Sequence, residues 1–79
     1  YLVPLIAEAN QRLKMHRELL DDYHQVAEQY FSEPDLSPEL RMMYLTLRRG
    51  ILYEESNVQW AEEALAVLMD LHENNNKST

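Results

Sequence analysis

The chain has no cysteine and only one glycine in 79 residues. Without cysteine there is no disulfide staple and no thiolate chemistry, and nothing points to an oxidising compartment, so a cytoplasmic location is expected. Basic residues are also scarce. Seven Lys and Arg stand against fourteen Asp and Glu, giving a net charge of −7. Affinity for nucleic acid rests on Lys and Arg neutralising phosphates, so this piece is not expected to hold DNA or an anionic membrane by itself. No apolar run approaches transmembrane length. The opening Tyr-Leu-Val-Pro-Leu-Ile lacks the basic region and cleavage site of a signal peptide. There is no Ser-His-Asp or Cys-His set and no Gly-rich phosphate loop, so neither an enzyme nor a cofactor is expected. The first residue is tyrosine, and a piece cut from a longer protein is the expectation.

What is present is helical periodicity. From Leu40 to Leu68, apolar residues recur at Leu40, Tyr44, Leu47, Ile51, Val58, Ala61, Leu65 and Leu68. The steps alternate between three and four residues, with one skipped turn at Glu54. An earlier stripe runs through Leu2, Ile6, Ala9, Leu13, Leu20, Tyr23, Ala27 and Tyr30, with His16 filling its one gap. Each is a single apolar face on a helix that packs against other helices. No strand-like alternation appears. The predicted fold is all-α: an antiparallel hairpin of two long helices, completed by dimerisation.

The first helix is predicted from about Pro4 to Phe31, with Pro4 in the first turn where its missing N–H costs nothing. Ser32-Glu-Pro-Asp-Leu-Ser-Pro punctuates the chain. Pro34 disfavours helical geometry at Glu33. Ser37, Pro38 and Glu39 read as N-cap, first-turn proline and an acid at the positive end of the dipole. Leu36 is placed to staple onto the stem of Arg41 or onto Met42. The second helix is predicted from Pro38 to about Glu73, either continuous through Gly50 or kinked or broken there. A glycine inside a helix costs about 1 kcal/mol against alanine, so Gly50 marks a kink or a close helix contact. Residues 1–73 are read as one helical domain and 74–79 as a polar, fraying tail.

Two polar residues interrupt the stripes. His16 is read as a buried polar group whose partner lies across an interface. Glu54, if buried, needs an arginine, with Arg48, Arg49 or Arg17 in reach. Asp21 and His24 form one carboxylate–His pair at helical spacing, too little for a helical-bundle metal site, which needs further Glu and His, so no metal is expected. Tyr44, Tyr53 and Trp60 carry large apolar bodies with polar tips. Such residues enrich both interfaces and pockets, and these three are the candidates for a small-molecule site between helices.

The run Leu47-Arg-Arg-Gly-Ile, then Tyr53-Glu-Glu, then Gln59-Trp-Ala-Glu-Glu-Ala-Leu65 resembles the C-terminal domain of PadR-like transcriptional regulators, a domain shared with related virulence-gene activators. The resemblance covers about Leu5 to Leu71 and is strongest from Leu47 to Leu65. It implies a homodimerisation domain whose parent reads DNA through an N-terminal winged-helix domain outside this chain. It also implies that a small aromatic effector, such as a phenolic acid, is a candidate ligand. The residues expected to bury against a second copy are Leu13, Leu20, Tyr23, Tyr44, Leu47, Ile51, Trp60 and Leu65. Size points the same way: a short two-helix chain has no closed core and needs a partner over its apolar faces. The alternative is a stand-alone hairpin that binds a different protein through its stripe.

Overall fold

A computed structural model describes residues 1–77. Two helices make up the fold, α1 over Leu2–Phe31 and α2 over Pro38–Lys77. They fold back on each other into a hairpin measuring 63 × 15 × 13 Å. No helix among the described residues is long and apolar enough to cross a membrane.

The helix α1 starts at Leu2, two residues before the Pro4 at which it was expected and level with the first residue of the apolar stripe. Tyr1 occupies the N-cap without a side-chain hydrogen bond, and Pro4 still falls among the first positions, whose N–H groups have no partner within the helix. The turn follows the sequence closely. Ser37 Oγ accepts a hydrogen bond from the Leu40 N–H at 3.2 Å, and the Ser37 carbonyl accepts from the Arg41 N–H at 2.9 Å. Leu36 lines one shallow groove with Arg41 and Met42. The helix α2 runs unbroken through Gly50. It also continues past Glu73 to Lys77, where a fraying tail was expected from residue 74. An established helix adds each further residue at small cost, and the Asn74 amide lies 3.5 Å from Asp70 Oδ2, one turn back. Residues 78 and 79 of the expected tail lie outside the described residues.

Gly50 is a contact position. A Cβ built there would stand 3.2 Å from Cε2 of Tyr23 on α1. Glycine leaves room at this level for the ring of Tyr23, which packs against the backbone of α2. Near the turn, the rings of Phe31 and Tyr44 meet with centroids 5.5 Å apart and planes inclined at 49°. The seam between the helices is therefore continuous from the turn past the middle of the hairpin.

The core is thin. Among the described residues, its buried hydrophobic residues are Leu2, Leu13, Ile51 and Ala61. The accessible surface is 6412 Å², whereas a compact monomer of this mass exposes about 5,000 Å². The radius of gyration is 18.0 Å, against roughly 12 Å for a compact domain of this length.

Candidate functional site

Among the described residues, the buried part of the seam carries one polar pair. His16 Nδ1 on α1 lies 2.6 Å from Glu54 Oε2 on α2, a hydrogen bond inside the hairpin. The Glu54 side chain is only 5% exposed and that of His16 is 23% exposed. This corrects two expectations. The partner of Glu54 is a histidine and not an arginine, and the partner of His16 lies in its own chain and not across a subunit interface. The arginines are engaged elsewhere or point outward: Arg17 reaches Glu62 at 3.1 Å, and Arg48 comes within 4.0 Å of Glu55. The sequence held a usable signal. Each stripe has one gap, and folding the chain at residues 32–37 brings the gap at 16 level with the gap at 54.

The hairpin has two broad sides of different character. One is polar, crossed by the Arg17–Glu62 pair, with Glu55 and Arg48 one and two heptads back from Glu62 along the same row. The other is apolar. There Leu5, Ala9 and Arg12 of α1 and Trp60, Ala61, Ala64 and Leu68 of α2 line an open groove of about 240 Å³, and Glu8 completes its rim. The alanines keep the floor low, so the indole of Trp60 stands proud. Arg12 is tied to Glu8 at 2.9 Å, which holds its guanidinium at the edge of the groove. Steps of seven residues extend this side along both helices: to Leu19 and Val26 from Leu5, and to Tyr53 and Val67 from Trp60. Tyr53, Trp60 and Val67 are 65%, 65% and 58% exposed. In a single hairpin nothing covers them.

The residues expected at the interface with a second copy divide between these regions. Leu13 and Ile51 are buried, and Leu20, Tyr23, Tyr44, Leu47 and Leu65 half-buried, within the hairpin itself. Trp60 alone among them stands on the uncovered side. The expected ligand trio does not converge in the hairpin. Tyr44 faces Phe31 and a groove near the turn, Trp60 lines the groove at the open end, and the two are about 24 Å apart along α2 at 1.5 Å per residue. Tyr53 stands on the surface between them. Among the described residues, no three His, Asp or Glu side chains gather as a metal site would require.

The sequence reading missed the outward row of α2. It looked for continuous apolar stripes, and this row mixes apolar with polar members.

Compared with known proteins, the chain matches no curated protein and no solved structure. One family does match, described as virulence activator alpha C-term, and the match spans residues 3–69. That span takes in both helices and the turn, the His16–Glu54 pair, Gly50 and the groove around Trp60, and the chain belongs to this family of virulence-activator C-terminal domains.

Proposed function

We propose that this chain is the self-pairing C-terminal domain of a PadR-like transcriptional regulator. It has no catalytic step of its own. Its work is to hold two copies of the parent at a fixed separation, so that two DNA-reading domains meet two half-sites. Half-site spacing on an operator follows from such geometry. The acidic balance of the chain suits a division of labour in which phosphate contact is made elsewhere.

The uncovered side around Trp60 carries this reading. The hairpin exposes roughly 1,400 Å² more than a compact monomer of its mass, and each partner in a standard interface buries about 800 Å². The surplus is enough for one such contact. A dimer of 19 kDa, twice the 9.4 kDa chain, should persist into the low micromolar range in light scattering across a dilution series. A monomer at every concentration would favour the hairpin that binds a different protein. Buried aromatics dominate many interfaces, so Trp60→Ala should weaken the dimer by about 2 kcal/mol, roughly thirtyfold in Kd. Because Trp60 is largely exposed in the hairpin, helical content should be unchanged. An unaltered dissociation constant would remove Trp60 from the interface.

The groove also favours a small aromatic effector. It offers an indole face, an apolar floor and the Arg12 guanidinium at its edge, a fit for a flat ring bearing a carboxylate. The effector would act by shifting the relative pose of the two copies. Trp60 is the sole tryptophan, so its fluorescence reports directly on the groove. Titration with 4-hydroxybenzoate should quench it saturably in the wild type and much less in Arg12→Ala. Equal quenching in both would place the ring elsewhere.

A further inference from the structure

The outward row of α2 runs Thr46, Arg49, Tyr53, Ser56, Trp60, Glu63, Val67, with steps of three and four throughout. Every member is exposed. The row is close to a chemical palindrome about Ser56. Moving outward from Ser56, aromatic Tyr53 answers aromatic Trp60, then cationic Arg49 answers anionic Glu63, then Thr46 answers Val67. Neither Arg49 nor Glu63 has a salt-bridge partner among the described residues. Two opposite charges, fourteen positions apart in the numbering, therefore flank an exposed aromatic pair with nothing to neutralise them.

A row whose charge reverses sign along its length is self-complementary in one orientation only. We infer that a second copy of this chain docks with its α2 antiparallel to the first, across a two-fold axis at Ser56, so that Tyr53 of each copy packs against Trp60 of the other and Arg49 meets Glu63. This rests on the self-pairing reading above and adds orientation and register to it. A parallel arrangement would set Arg49 on Arg49 and Glu63 on Glu63, and like charges across an interface are strongly disfavoured. The antiparallel arrangement repeats each attractive contact twice, as an isologous interface requires.

Charge reversal tests the orientation. In Arg49→Glu, two carboxylates face each other at both symmetry-related places, and in Glu63→Arg two cations do. Each variant alone should dimerise at least about tenfold more weakly than wild type. Mixed, they restore opposite charges at both places. Native mass spectrometry of the equimolar mixture should show the mixed dimer well above the half share of random pairing. Cysteine placement tests the register, since the chain has no other thiol. Ser56→Cys should oxidise to a cross-linked dimer on its own, because only residues near the axis meet their own copies and a disulfide needs Cα atoms within about 7 Å. Thr46→Cys and Val67→Cys should each fail alone and cross-link with each other when mixed. A wild-type dimer with random pairing of the charge variants, or with efficient self-cross-linking at position 46 or 67, would overturn the antiparallel register while leaving self-pairing intact. A wild type that stays monomeric would overturn both.

Discussion

Gly50→Leu should destabilise the hairpin by about 2 kcal/mol or more, a fall in melting temperature on the order of 10 °C for a domain this small. Two effects oppose each other at this site. Removing a glycine from the middle of a helix gains about 1 kcal/mol in helix propensity. Adding a side chain forces it against the ring of Tyr23, whose Cε2 would lie 3.2 Å from the new Cβ, with two further ring carbons at 3.6 Å. For alanine a small tilt of the half-exposed ring relieves the contact, so Gly50→Ala should fall within about 1 kcal/mol of wild type. Leucine carries three more carbons into the space of the ring, and overpacking of that kind costs typically 1–3 kcal/mol, commonly with backbone movement. A double-mutant cycle isolates the cause. Tyr23→Ala vacates the site, so Gly50→Leu should cost far less in that background. The comparison needs circular dichroism melts at one fixed protein concentration, because pairing makes the melting temperature concentration-dependent. A Gly50→Leu chain that melts at or above wild type would show that Tyr23 moves freely and that close approach is not why glycine stands there.

The same residue shows what the sequence could and could not convey. Apolar phase carries across Gly50 without a shift, which made a continuous helix readable before any coordinates. The close contact was readable only as one of two reasons for a glycine, because its partner is set by the tertiary register. The cap of α2 was legible, since Ser37, Pro38 and Glu39 act locally and the Ser37 hydroxyl accepts from the Leu40 N–H as its residue type demands. The helix end was not, because Asn74 has poor propensity but continues a helix that is already running. Interface residues were the hardest to read. Leu13 and Ile51 have the profile of interface residues, and the hairpin buries both by itself. A stripe announces that something will cover it without saying whether the cover is the same chain or another. The outward row escaped notice for a different reason. Arg49, Ser56 and Glu63 dilute its hydrophobicity, and its meaning lies in symmetry about a point, which a count of apolar spacings does not detect.

His16→Leu should cost about 3 kcal/mol, and adding Glu54→Leu should return that loss and more. The Glu54 carboxylate is nearly fully buried, and the His16 imidazole at 2.6 Å is its hydrogen-bond partner. Arg17 cannot replace the imidazole without leaving Glu62 at 3.1 Å. Removing His16 alone therefore strands a charge in the seam, the expensive way to break a buried pair. Removing Glu54 alone costs less, since the part-exposed imidazole of His16 can turn to water. Removing both converts the site to leucine on leucine, and replacement of a buried polar pair by apolar residues is often neutral or stabilising. The natural pair is then best understood as specifying register. Both helices present near-heptad apolar stripes, and sliding one past the other by a turn would still set apolar residues against apolar residues at most levels. It would also bury Glu54 against an apolar neighbour, and that penalty selects one alignment. The register it fixes sets Gly50 against Tyr23 and places Trp60 beside Leu5, Ala9 and Arg12. The double variant should thus melt higher than wild type and give more than one set of amide signals by NMR, as alternative registers become populated. A single sharp set of signals from a more stable double variant would sink the register argument, and His16→Leu with wild-type stability would show that the buried carboxylate had found another partner.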